Sequence, residues 1–389
     1  MQLLEKGHYN VQLDAEARDR LFTWIDLNVP DHGSWHEHRR GHSPMEARRL
    51  EMRTRFANRT ENFEVLPEMP ARTVAYVTPA PLPPRPAAKL SCAGWPFDAA
   101  EAKQRQQSAG EAELKIELAK GLTLDLALIP AGQFIMGATD GEGDEYPQAG
   151  VTIERPFYMA KCEVTNAQFA LFDPTHESAY ISVLNKDQST RGVAADHERQ
   201  PVIRVNWHQA AAFCQWLSAK TGLRFSLPTE AQWEYACRAG TATPLSFGDL
   251  GTDFSKFANL ADQRVNDLAR GDSPRWIPSV ATINDGSIIS DQVAKYAPNA
   301  FGLYDMHGNV AEWTRTAYRP YPYNPGDGRD TPDAAGKKVV RGGSWYDRPH
   351  RARSSFRQAY EPWQHVFNVG FRVVLEADRP LKLTSAGKP

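Results

Sequence analysis

Apolar and polar positions alternate with a period of two across Leu122, Leu124, Leu126 and Leu128, with Thr123, Asp125 and Ala127 between them. That pattern predicts a strand with one buried face. Pro130-Ala-Gly132 turns the chain, residues 133–136 read as a second strand, 138–150 as a Gly-rich polar loop and 151–159 as a third strand. Residues 164–172 read as a short helix with Thr165 at its cap. Asn206 caps a stronger helix carrying Trp207, Ala210, Ala211, Cys214 and Leu217 at helical spacing. Thr229-Glu-Ala-Gln232 is a capping box, opening a helix that runs through Cys237 and ends at Gly240. From 240 to 335 the pattern predicts mostly loop, of a length that marks function or pinning by ions. Short elements follow at 339–344 and 370–375.

Upstream, Ala17, Leu21, Phe22 and Ile25 make an amphipathic stripe over 13–28, closed by Pro30. Ser43-Pro44-Met45-Glu46 starts a second helix, whose Arg48, Arg49, Arg53 and Arg55 form a solvated basic face or, in the alternative, a surface for an anionic partner. Seven prolines between 67 and 86 favour polyproline II, so a boundary falls there. The chain divides into a helical segment 1–66, a Pro-rich linker and lead-in 67–111, a main domain 112–376 and a tail 377–389.

Composition narrows the class. Lys and Arg number 45 against 47 Asp and Glu, for a net charge of -2. That balance lacks the basic excess of a nucleic-acid binder. No apolar run is long enough to span a bilayer. The 27 glycines and 28 prolines point to a turn-rich fold, and the 10 Trp, 13 Tyr and 17 Phe supply its core. Cys92, Cys162, Cys214 and Cys237 include no Cys-x-x-Cys pair, which removes zinc ribbons and dithiol redox motifs. The first residues lack a signal-peptide core. The expectation is a cytoplasmic protein if the chain is complete, or a piece of something longer.

Seven blocks then follow in order: Pro130-Ala-Gly-Gln-Phe-Ile-Met-Gly137, Phe157-Tyr-Met-Ala-Lys-Cys-Glu-Val-Thr-Asn166, Pro201-Val-Ile-Arg-Val-Asn-Trp207, Leu227-Pro-Thr-Glu-Ala-Gln-Trp-Glu-Tyr235, Asn299 to Trp313, Arg341-Gly-Gly-Ser-Trp345 and Asn368-Val-Gly-Phe-Arg372. Together they resemble the sulfatase-modifying-factor family, whose founding members are formylglycine-generating enzymes. The resemblance covers roughly residues 112–376. It implies an α+β, C-type-lectin-like fold with little regular secondary structure, here preceded by a short helical segment.

The resemblance also implies a copper(I) ion held by two cysteines after Arg-Gly-Gly-Ser. Copper(I) is soft and wants thiolates, yet Trp345 to Arg372 contains no cysteine. Copper and formylglycine generation are therefore not expected. Cys214 and Cys237 match family positions that are disulfide-bonded in some members, and their partner positions here read as Ser354 and Val373. Both are expected to be reduced, buried thiols. Two calcium sites are implied: the carboxylates of Asp305 and Glu312 with the carbonyls of Gly308 and Val310, and the side chains of Asn259 and Asp285 with the carbonyls of Leu260 and Ser287. Oxygen-only ligation suits calcium.

In place of the copper loop stand Ser344, Trp345, Tyr346, Asp347, Arg348 and His350, with Arg351, Arg353, Arg357 and Trp363. Asp347 and His350, beside Ser344, are candidates for acid–base chemistry; the alternative is a surface ion-pair network rimming a groove. Trp345, Tyr346, Arg348, Arg357 and Trp363 are the types that anchor protein interfaces. His32, His36 and His38, with His42 nearby, resemble the iron site of ergothioneine-pathway synthases, but the third ligand there is Glu and the segment reads as a turn. Iron is thus a weak alternative. The expected function is a calcium-stabilised protein- or peptide-binding module, part of a larger bacterial multidomain protein. The alternatives are a nonhaem-metal oxidoreductase or other enzyme using a non-cysteine centre, and a formylglycine-generating enzyme with an unconventional thiol.

Overall fold

A computed structural model describes residues 90–182, 192–269 and 277–376, with isolated positions between 51 and 60. Glu51, Thr54 and Arg55, within the second expected N-terminal helix, are helical; the rest of the N-terminal helices, the proline linker, the His32/His36/His38 cluster and the tail lie outside the described residues.

The chain enters as α1 (Ala99–Ala109), capped by Asp98 accepting from the Glu101 amide. Its sequence has almost no apolar periodicity, so the pattern gave no helix there. The helix is fixed by polar contact instead, Gln106 Nε2 donating to the Leu128 and Phe301 carbonyls. β1 (Glu113–Ala119) pairs with β2 (Leu122–Ile129), placing Leu114 opposite Leu126 and Ile116 opposite Leu124. β3 (Gly132–Met136) and β4 (Ala149–Ile153) form a hairpin. The strand expected over 151–159 is two strands. Pro156 cannot donate to a ladder, and beyond it β5 (Phe157–Ala160) joins a different sheet.

α2 (Asn166–Ala170) is shorter than its periodicity suggested, with Thr165 and Gln168 forming a reciprocal cap. β6 (Tyr180–Ile181) and β7 (Val193–Ala194) make a small ribbon. α3 (Trp207–Thr221) is capped by Asn206 and buries Ala210, Phe213, Cys214 and Leu217, the expected face. β8 (Phe225–Ser226) leads to α4 (Glu230–Arg238), whose Thr229/Gln232 box is formed. Its left-handed end is Ala239, one residue before the expected Gly240.

The described residues of the long stretch after α4 do run mainly as loops, with 3-10 turns at Gln263–Ala269 and Pro325–Asp327 and one strand. β9 (Ala311–Ala317) is buried on both faces, so it shows no alternation to betray a strand. It pairs with β10 (Lys338–Arg341) and, in parallel, with β12 (Val369–Gly370), while β11 (Gln358–Tyr360) flanks β10. β13 (Val374–Glu376) completes a five-stranded sheet of order β1-β2-β5-β13-β8, beside the four-stranded sheet β11-β10-β9-β12. The expected element at 370–375 is therefore split between two sheets, with Arg372 at the crossing. One core packs α3 onto the five-stranded sheet through Phe169, Phe213 and Phe371. A second packs α4 and the β3–β4 hairpin against its other face through Trp233, Tyr235 and Phe134.

Candidate functional site

The loop leaving β10 begins with two left-handed glycines, Gly342 and Gly343, at φ 92° and 64°. A Cβ on Gly343 would sit 2.7 Å from the Arg351 carbonyl, so the turn needs glycine. It delivers Ser344 into the interior. Asp347 Oδ2 accepts from the Ser344 hydroxyl at 2.8 Å and from its amide at 3.1 Å. Asn368 Nδ2, at the entry to β12, donates to the same hydroxyl at 2.8 Å. Burial pushes the Asp347 carboxyl above its ordinary range, and the Ser344 hydrogen bonds pull it back. Ser344 is fully buried and Asp347 is 5% exposed, so the carboxylate locks a turn.

Among the described residues no hydrogen bond joins Asp347 to His350. Asp347 Oδ2 is held by Ser344, and Oδ1 lies 3.7 Å from Arg351 Nη1. His350 is half-buried in a short 3-10 turn, where burial and the neighbouring arginines lower its pKa.

The expected contact residues also part company. Arg348 and Trp363 face solvent, Trp363 being 64% exposed, and Tyr346 is half-buried. Trp345 is 1% exposed, packed with Ile181, Ile203 and Val310. Arg357 is buried, its fork on Glu230 at 2.6 and 3.1 Å and its face over Tyr321. Arg353 pairs with Glu145, and Arg341 with Glu230 and Glu234. The surface ion-pair network thus runs inward. Its acids stand 127 and 208 residues away in sequence, which local pattern does not reveal.

Cys214 and Cys237 are buried free thiols. Cys237 Sγ lies 3.5 Å from Ser354 Oγ, and burial pushes the thiol up to about 12. Cys214 shares a core cluster with Val373. Cys237 Sγ is also 3.5 Å from His307 Nε2 and 3.9 Å from Nδ1. His307 Nδ1 contacts the Ala352 carbonyl at 2.6 Å, and Nε2 accepts from the Ser246 amide at 3.0 Å. The imidazole is therefore neutral, with its proton on Nδ1. A copper ion does not fit here: the loop offers it no sulfur.

The calcium constellations are brought together in part. Asp305 is buried, with Oδ2 accepting from the Ala294 amide and Oδ1 accepting nothing. Burial raises its pKa to about 6. Glu312, by contrast, is gripped by Arg372 at 2.6 to 2.9 Å and by Trp233 Nε1 at 2.7 Å. The free carboxylate oxygen beside Asp305 belongs to Glu163, whose Oε1 takes Asn309 Nδ2 and whose Oε2 is buried without a partner. Sequence reasoning passed over Glu163; a lone acid inside the apolar run from Phe157 to Val164 was its signal. At the second constellation, Asp285 accepts from the Leu260 and Ser287 amides, and Asn259 Nδ2 donates to the Ile289 carbonyl. Burial, then neighbouring Asp262, raises Asp285 to about 7. Among the described residues no three His, Cys, Asp or Glu side chains converge on one point, so backbone carbonyls would have to complete either cage.

The model of the sulfatase-modifying factor enzyme 1-like domain matches residues 115–377. The formylglycine-generating enzyme of Streptomyces coelicolor is 30% identical over 298 residues, covering 64% of this chain and 88% of that protein. Inactive C-alpha-formylglycine-generating enzyme 2 of Mus musculus is 29% identical over 298 residues, covering 65% and 86%. Among solved structures, PvdO from Pseudomonas aeruginosa aligns with a TM-score of 0.54 at 27% identity, over 69% of this chain and all of that one. Treponema denticola variable protein 1 shares the fold, with a TM-score of 0.52 at 22% identity over 68% of this chain and 99% of its own.

Proposed function

This chain belongs to the sulfatase-modifying factor enzyme 1-like family, and from that premise we propose that it is a non-catalytic member, a calcium-stabilised module that binds a protein or peptide. The observation that carries the reading is the Ser344–Asp347–Asn368 lock. Where the resemblance calls for copper-binding thiols, the loop has a carboxylate tied to a buried serine. A hard oxygen held by two hydrogen bonds is a poor ligand for copper(I). Similarity to both an active and an inactive relative leaves either outcome open to the family, and the loop chemistry favours the inactive one.

Calcium would serve the long loops after α4. Asp305 with the Gly308 and Val310 carbonyls is the stronger constellation, because Asp305 Oδ1 is buried and unsatisfied. Glu163 is better placed than Glu312 to add charge, Glu312 being neutralised by Arg372. In the second constellation the ion would draw on Asp285 and on the Leu260 and Ser287 carbonyls. The role is structural, since hard oxygens on loops give rigidity.

The deciding experiment is mass spectrometry of a Cys-x-Pro-x-Arg peptide after incubation with the protein, copper and reductant. The thiol mass is expected to persist. An aldehyde product would overturn the reading.

A further inference from the structure

A cavity of about 410 Å³ lies between the lead into α1, the loop after α4 and the 297–307 segment. Small-molecule sites begin at about 300 Å³. One wall is a pair of half-buried rings, Phe247 and Phe257, stacked with 5.0 Å between centroids and 10° between planes. Phe97 and Met306 line it as well, and the small side chains of Ala239, Ala297 and Ala300 leave the space between these walls open.

Most of its polar lining is engaged elsewhere. Asn299 Nδ2 donates to the Ala236 and Cys237 carbonyls, and its Oδ1 accepts from the Phe301 and Leu303 amides. The Thr241 hydroxyl donates to the Arg238 carbonyl. Asp98 caps α1, and Asp305, the calcium candidate, accepts from the Ala294 amide. His307 is neutral, and its Nε2 has a single lone pair. The Ser246 amide and the Ser246 hydroxyl both lie 3.0 Å from that nitrogen. With the amide taking the lone pair, the hydroxyl keeps the capacity to donate and accept toward the cavity. Charge narrows the guest further. Among the described residues that line the cavity there is no lysine or arginine, and Asp98 and Asp305 are its acids. An anion finds no partner there.

We propose that this cavity binds a flat, uncharged aromatic ring with one hydrogen-bonding edge, of the size of indole. The ring lies against the Phe247–Phe257 pair and turns its polar edge to the Ser246 hydroxyl. Aromatic rings favour offset-stacked or edge-to-face neighbours, and the thioether of Met306 suits a ring edge. Apolar walls give the affinity and one polar atom sets the orientation, as in small-molecule sites generally.

The probe is indole, titrated calorimetrically into the full chain at neutral pH with calcium present. Indole-3-carboxylate is the charged control and cyclohexanol the non-aromatic one. Saturable binding at submillimolar concentration is expected for indole, and at least tenfold weaker binding for each control. Phe257→Leu, which keeps apolar bulk and removes the ring, should weaken indole binding at least fivefold. Ser246→Ala should weaken it two- to fivefold. Ala297→Trp, at an exposed lining position, should fill the cavity and abolish binding while circular dichroism stays native; this variant decides the matter if Phe257→Leu does not fold. The proposal is overturned if indole fails to saturate the protein at millimolar concentration, or if either control binds as tightly as indole. It is equally overturned if Ala297→Trp or a folded Phe257→Leu binds indole as well as the parent.

Discussion

The buried ionic assembly around α4 and the one around Arg372 use the same two residue types in opposite proportion. In the first, Glu145, Glu230 and Glu234 meet Arg238, Arg341, Arg353 and Arg357. In the second, Glu163, Asp305 and Glu312 share Arg372 alone. A surplus guanidinium can turn its extra N–H groups to backbone carbonyls, as Arg341 does toward Ser354, Ser355 and Phe356. A surplus carboxylate has no such recourse once amides are taken by strands. Hence Glu163 Oε2 and Asp305 Oδ1 are left bare. The basic assembly spreads its excess charge over backbone carbonyls and leaves only Arg341 Nε and Arg353 Nε without an acceptor, whereas the acidic one leaves charged carboxylate oxygens bare.

Removing the lone cation of the acidic assembly should have the largest effect. Arg372→Met is expected to cost about 3–5 kcal/mol, because it leaves Glu312 buried and unpaired. Urea unfolding in chelator measures this, and a loss below about 1 kcal/mol would break the comparison.

The next effect comes from the basic side. His307, whose pKa burial lowers from 6.5 to about 4 with Arg238 adding to the shift, stays neutral in the fold. Because its folded value is depressed, the unfolded chain takes the proton first as pH drops. Stability should therefore be full above about pH 6.5 and fall by about 3 kcal/mol as pH approaches 4. His307→Gln should flatten that slope in pH-dependent unfolding, and an unchanged slope would refute a neutral imidazole.

Calcium should act on one assembly only. At about a hundredfold excess over its dissociation constant it should add about 2.7 kcal/mol. Scanning calorimetry should show melting lowered by chelator and restored by calcium. Asp305→Asn should diminish that response, leaving the part owed to Asp285, and Arg353→Met should preserve it whole. An identical response in both variants would erase the distinction between the assemblies.

The smallest effect belongs outside both. Trp363→Ala should change stability by less than about 0.5 kcal/mol, since the indole is largely in water. It should still cost about 2 kcal/mol or more in binding once a partner is found. Binding unaltered in this variant would move the contact surface away from Trp363.

Much of the scaffold is legible from local sequence. The boxes Asn206/Gln209 and Thr229/Gln232 announce α3 and α4 because a cap joins residues three apart. The alternating leucines announce β2 for a similar reason. Loss of the copper thiols is legible as simple absence. What stays hidden is what depends on distant partners. Arg357 reads as a surface contact until Glu230 meets it, and β9 reads as loop because both its faces are covered. Asp347 reads as a reactive acid, yet a carboxylate three residues beyond a buried serine closes back on that serine.

The contact between Cys237 and Ser354 carries a consequence of its own. A hydroxyl faces the thiol here, so the junction of α4 with the 352–356 segment rests on packing and polar contact. Dithiothreitol should leave its melting unchanged, and glutathione poise should have no hold on it. Ser354→Cys would bring a second thiol to that place and give an electrochemical potential the opportunity to govern the joint.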